Sequence, residues 1–244
     1  MFAKWEGKAS LQVLDLQLFP KELAELSPEK IVEHIRRKVK RGVGLKKVHL
    51  LQEVARQSIG ITEGTSLARR KLGTLLRHYH FLQEELEALR EEVEEMLEEI
   101  PGAKEMTAIH GIGKVTVAGF FAEVGDLSAY ESPEQIIKLA GLNLKLATSG
   151  KWKGQTVITK RGRPKLRSLL YKVILVLVSH NKAFKALHHY FITRHENPLK
   201  KKQSLIALCC KLIRILFIVG KNQRAFSEEK MLNDIPHFRQ QEVA

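Results

Sequence analysis

The chain has 244 residues, 44% hydrophobic and 28% charged, which suits one or two domains with a real core. A formal charge of +14 and a pI of about 9.8 point to a polyanionic partner or an acidic membrane surface. The two cysteines, Cys209 and Cys210, are adjacent in an apolar run and offer neither a zinc-ligand spacing nor a disulfide framework, so they read as buried thiols.

The opening "MFAKWEGKAS" is polar and mixed, without the pattern of a secretory signal. Residues 1–60 alternate short helical patterns with breakers. Ser27 and Pro28 start a helix in which Ile31, Val32 and Ile35 are apolar and Arg36, Arg37, Lys38, Lys40 and Arg41 form a basic cluster. That cluster is either a solvated helix end or a phosphate contact.

Residues 61–101 hold the clearest periodic signal. Ala68, Leu72, Leu75, Tyr79, Leu82, Leu86, Leu89, Val93, Met96 and Ile100 step by four and three, which predicts a coiled coil or long helical hairpin. The second half is acidic, from Glu84 to Glu99, and is predicted to face protein or act as a spacer. Pro101-Gly102 ends it.

"MTAIHGIGKVTVAGFFAEVGDLSAY", Met106 to Tyr130, places two short helical patterns around His110-Gly111-Ile112-Gly113. Gly111 and Gly113 permit a tight turn, and the amides at the start of the next helix, with Lys114, suit a phosphate. This is the helix-hairpin-helix pattern, used for sequence-independent backbone contact; a plain tight turn in a helical domain is the alternative. Ser132, Pro133 and Gln135 then predict a capped helix start with a capping box.

"LATSGKWKGQTVITKRGRPKLR", Leu146 to Arg167, carries Lys151, Lys153, Lys160, Arg161, Arg163, Lys165 and Arg167, and no acid. No Asp or Glu occurs between Glu134 and Glu196, and residues 141–244 carry a net +16 against −2 for residues 1–140. An unbroken positive field of this kind releases counterions from a phosphate backbone. Gly150, Gly154 and the β-branched run from Thr156 predict a small hairpin, on which Trp152 either stacks on a base or anchors the strands. Pro164 starts an apolar helix through Val178, and a last core helix spans Ser204 to Val219. Its apolar run is interrupted by Lys211 and Arg214 and falls short of a bilayer span, so no membrane partner and a cytoplasmic, nucleoid-associated location are expected. The predicted fold class is mainly α: an arm, then a helical domain with a helix-hairpin-helix and a small β-hairpin.

Several motifs, in order, resemble the bridge-RNA-guided insertion-sequence transposases of the IS one-ten / one-sixteen family. They are "IHGIGKVTVAGFFAEVGDL" (109–127), "KLAGLN" (138–143), "TSGKWKGQTVITKRG" (148–162) and "LRSLLY" (166–171), and "NPLKKKQSLIALCCKLIRILF" (197–217) is similar to one branch. The resemblance implies a RuvC-like domain with four metal-binding acids, a coiled-coil arm and a C-terminal transposase domain with a serine nucleophile. On this sequence the serine falls on Ser149, with Thr148 where many members have a second serine. His110 and Leu144 stand where proline is common. The resemblance implies DNA and a guide RNA as partners, Mg²⁺ in the full-length family, and a dimer or tetramer through the arm. It divides the chain into residues 1–60 (helical segment), 61–101 (arm), 102–222 (transposase domain) and 223–244 (peripheral tail).

Asp15, Asp126 and the arm's glutamates do not match the acidic pattern, so no metal site and no cofactor are assigned to this chain. The sequence starts beyond the RuvC-like portion, which predicts a truncated frame or C-terminal fragment that does not cut DNA alone. Two other readings stay open: a non-catalytic helix-hairpin-helix nucleic-acid-binding protein, and a helical assembly module.

Overall fold

The computed structural model describes residues 7–39, 42–61, 63–149, 152–232 and 235, with residues 146–149 and 152–156 described by backbone placement alone. The fold is mainly α, with twelve α-helices, a 3-10 turn and one two-stranded sheet among the described residues. Two compact units divide it, residues 1–88 and 89–244.

The first unit holds α1 (Lys8–Asp15), α2 (Pro20–Glu25), α3 (Pro28–Arg36), α4 (Leu45–Gln57) and the start of α5 (Thr65–Glu98). Ile31, Val32 and Ile35 fall on one face of α3 and meet Leu23, Val48 and Leu51 in a small core. Gln52 is buried within it, and its Nε2 donates to the carbonyl of Leu26 at 2.6 Å and of Leu23 at 3.2 Å, tying α4 to the end of α2. The helix α5 runs unbroken from Thr65 to Glu98 and carries the predicted seam from Ala68 to Met96, with Ile100 beyond its end. Leu75, Leu82, Leu86, Leu89 and Met96 stay exposed, whereas Leu76 and Leu97, which lie beside the seam, are buried.

The second unit comprises the last turns of α5, α6 (Ala103–Thr107), α7 (Lys114–Val124), a 3-10 turn (Leu127–Ala129), α8 (Pro133–Leu139), β1 (Leu144–Ser149), β2 (Trp152–Ile158), α9 (Pro164–His180), α10 (Lys182–Thr193), α11 (Lys201–Asn222) and α12 (Glu228–Leu232). Pro28, Pro133 and Pro164 each occupy the first position of their helix, where proline's fixed φ suits the entry and its missing N–H goes unmissed. At α8 the predicted capping box does not form. Ser132 makes no side-chain cap bond, and Gln135 Oε1 accepts from the Glu131 N–H at 2.9 Å instead.

The core of this unit is built around α11, where Leu208, Cys209, Leu212 and Ile213 have no exposure and Leu216 only 1%. A helix apolar on nearly every side needs enclosure. Lys201–Gln203 and Gly220–Asn222 extend α11 beyond the predicted Ser204–Val219. At 22 residues it is long and apolar enough to cross a bilayer, yet 56% of its most apolar window is buried inside this unit, as a core helix requires. The segment expected to be peripheral also reaches the core, through Met231 and Ile235.

Candidate nucleic-acid interface

The turn between α6 and α7 is pinned from below by Ile109 and Ile112, both buried, which leaves Gly111, Gly113 and Lys114 exposed. Gly111 has φ +96, and a Cβ on it would lie 2.8 Å from Leu177 Cδ2, so the turn rests against the last turns of α9. Asn181, 2% exposed, fixes it there. Its side-chain amide donates to the His110 carbonyl at 3.3 Å and to Glu228 Oε1 at 3.1 Å, while its Oδ1 accepts from the N–H groups of Ala183 and Phe184.

Gly113 is the N-cap of α7 and makes no side-chain cap. The N–H groups of Thr116 and Val117 donate to the Gly113 carbonyl, and those of Lys114 and Val115 precede the first intrahelical bond. Those two amides, with the helix dipole behind them, suit an anion. The Lys114 ammonium is already engaged: its Nζ lies 2.5 Å from Glu94 Oε2 near the end of α5. Its hydrogen bond to Glu94, with the Glu94 and Glu98 charges, raises its pKa. Nothing in the sequence reading anticipated this partner.

A second basic region surrounds the hairpin. β1 and β2 pair antiparallel with Leu144 opposite Ile158 and Ser149 opposite Trp152, and a register shift falls between Leu146 and Thr148. Gly154, expected in a turn, lies within β2. The base is clamped. The N–H groups of Thr159, Lys160 and Arg163 donate to the carbonyls of Asn143, Gly141 and Leu139 at 2.9, 3.0 and 2.8 Å, and Thr159 Oγ1 donates to Asn143 Oδ1 at 2.7 Å. This close approach needs glycine on both sides. Gly141 and Gly162 have φ +67 and +153, and a Cβ on Gly162 would stand 2.7 Å from the Gly141 nitrogen. The motifs "KLAGLN" and "TKRG" are thus two halves of one joint.

Lys160, Arg161, Arg163 and Lys165 are exposed around that joint. Arg163 Nη1 donates to the Glu123 carbonyl at 2.5 Å, and the half-buried Arg167 donates through Nη1 to the Ala140 carbonyl at 2.8 Å. These two guanidinium groups brace α7 and α8 against α9 as well as adding charge. Lys165 shares its face of α9 with Lys172, two turns on. Ser149 ends β1; it and Lys153 are described by backbone alone, and Lys151 lies outside the described residues. The hairpin base and the Gly111 turn sit near opposite ends of α9, roughly 20 Å apart along its axis.

Other chemistry-bearing groups are packed away. His188 Nδ1 is 2.8 Å from Ser204 Oγ, but Ser204 has no exposure and cannot meet a polymeric substrate. Burial, Lys201 and His189 hold His188 below its ordinary value. Burial pushes the Cys209 thiol up to about 12 and raises Cys210, and both cysteines are free. His80 Nε2 meets Asp15 Oδ1 at 2.9 Å. Among the described residues no three His, Cys, Asp or Glu side chains form a group that could hold a metal ion. Sequence reasoning missed Asn181, whose only signal is a lone Asn between two apolar helices, and the bracing roles of Arg163 and Arg167.

Residues 103–189 match the family model described as Transposase IS116/IS110/IS902 family. The match runs from α6 into α10 and takes in the Gly111 turn, the clamped hairpin and α9, and it supports a transposase assignment for this segment. No curated protein matches the chain.

Proposed function

We propose, from the transposase-family match over residues 103–189, that the chain acts in DNA transposition with Ser149 as its nucleophile. The Gly111–Gly113 turn of the helix-hairpin-helix and the cations of the hairpin base hold the nucleic-acid backbone at two points. Lys160, Arg161 and Lys165 grip the backbone at the hairpin base, roughly 16 Å along β1 from Ser149, and so position the strand and not the reacting phosphate. Lys151 and Lys153 follow Ser149 closely in the sequence. Ser149 Oγ attacks phosphorus, one bridging oxygen leaves as a free hydroxyl carrying the serine proton, and a phosphoserine link remains for a second strand to resolve. Guide RNA is the further polyanion the resemblance implies, and the exposed apolar seam of α5 pairs copies of the chain into a dimer or tetramer.

The observation that carries this is that the matched segment takes in most of the acid-free window between Glu134 and Glu196, with the exposed cations of the hairpin base inside it. The test incubates the full chain with element-end DNA and Mg²⁺ and resolves covalent adducts under denaturing conditions. Ser149→Ala is expected to leave DNA affinity unchanged and to abolish any phosphoserine adduct. An adduct that survives the substitution removes Ser149 as the nucleophile. An adduct from the parent chain overturns the truncated fragment expected from the sequence, and steep salt-dependent binding that Ser149→Ala leaves unchanged, with no adduct, is what the second reading, a non-catalytic nucleic-acid-binding protein, expects.

A further inference from the structure

The first unit carries a shallow cavity of about 470 Å³ with no part in the contacts above. Gln17 lines it together with Thr65, Ser66, Arg69, Arg70, Gly73 and Arg77, these six from the first four turns of α5. Spacings of three, four and seven put them on one helix face. No carboxylate lines the cavity, and none occurs on the chain between Glu63 and Glu84. Arg69 is held in place by Glu22, at 2.5 Å, and by the Phe19 ring, whose centre is 5.5 Å from its Cζ. Arg77 Nη2 donates to Thr74 Oγ1 at 3.0 Å, which leaves the rest of its guanidinium fork for another acceptor. Gly73 leaves room for the Gln17 side chain, whose Oε1 would lie 2.9 Å from a Cβ there.

Three guanidinium groups, one of them already paired with Glu22, two hydroxyls and the positive end of a 34-residue helix suit an anion such as a phosphate. The volume exceeds that of a single phosphate. No aromatic or large apolar side chain lines it, so it offers nothing on which a base could stack. The features suit a phosphodiester with its sugars and ignore the base. We infer that this arginine-lined cleft binds the backbone of a nucleic-acid strand, separately from the surface on the second unit. It rests on the proposed role only in taking nucleic acid as the source of the phosphate.

The test uses the full chain and labelled 20-nucleotide single strands of RNA and DNA, followed by fluorescence anisotropy from 50 to 200 mM salt. Arg70 and Arg77 are exposed and glutamine is a good helix former, so Arg70→Gln with Arg77→Gln keeps the fold, as circular dichroism will verify. Losing two phosphate contacts is expected to weaken binding roughly tenfold and to flatten the salt slope by about 1.4. Photo-crosslinks from 4-thiouridine are expected in the peptide covering residues 65–77. Lys160→Gln, Arg161→Gln and Lys165→Gln together report on the second unit. Unchanged affinity in the arginine pair, with loss in the lysine and arginine triple, overturns the cleft and spares the proposed function. Loss in the arginine pair alone does the reverse, and no loss in either overturns both. Displacement of the strand by micromolar pyrophosphate or mononucleotide would reassign the cleft to a free nucleotide and overturn the strand.

Discussion

Asn181 is the residue through which the structure makes its sharpest stability prediction. Asn181→Ala deletes the N-cap of α10, whose two bonds come from the Ala183 and Phe184 amides, at about 1 kcal/mol. It also removes the donations to the His110 carbonyl and to Glu228, inside a site only 2% exposed, for about 1 kcal/mol more. A total near 2 kcal/mol lowers the melting temperature of a unit this size by roughly 4–8 °C. Calorimetry of the full chain measures it, with Asn181→Asp as companion. The aspartate still accepts the cap bonds, but it cannot donate to His110 and sets a carboxylate 3.1 Å from Glu228 Oε1. It should therefore also lose stability at pH 7 and recover part of it as the pH falls toward about 4, because burial and the neighbouring carboxylate raise the new aspartate above its ordinary value. An alanine variant within about 0.5 kcal/mol of the parent, or an aspartate variant equal to it at pH 7, refutes Asn181 as the fastener of the turn.

Further outcomes follow from packing, surface and charge. Gly220→Ala places a Cβ 2.7 Å from Leu127 Cδ1 and closer still to Met106 Cε, both in the core, so overpacking of roughly 1–3 kcal/mol should lower the urea midpoint. An unchanged midpoint would mean that Met106 swings clear. Leu82→Glu with Leu86→Glu charges the exposed seam, and sedimentation should show self-association lost; a parent chain monomeric at tens of micromolar removes the seam as an interface. His188 is held below its ordinary 6.5, so the unfolded chain binds its proton more readily. Stability from this group is complete above pH 6.5 and falls as pH drops through that value, and His188→Gln should flatten urea midpoints between pH 7.5 and 5.5. An equal fall in the variant assigns the dependence elsewhere.

Helix starts were legible because proline fixes φ locally, and α3, α8 and α9 begin at Pro28, Pro133 and Pro164. The steps of four and three in α5 disclosed a helix but not its neighbours, because Leu76 and Leu97 are buried by elements the periodicity does not mention. The β-branched run at Thr156 indicated a strand. Its anchorage could not be read, since Thr159 and Arg163 bond to Asn143 and Leu139, some twenty residues earlier. Lys114 looked free for the same reason, with Glu94 at an equal remove. Ser149 emerged from family motifs alone; its spacing marks only a turn.

The joint at Gly141 and Gly162 also separates what must stay constant from what can change. Among the described residues, the hydrogen bonds that tie the hairpin to the helices lie at Asn143 or earlier and at Thr159 or later. Just beyond the joint, Leu144 is 68% exposed and Val157 42%, so the strands leave the core at once. The helical unit is a socket and the hairpin an exchangeable tool. A different tip can be carried on the same mount without refolding the unit beneath it.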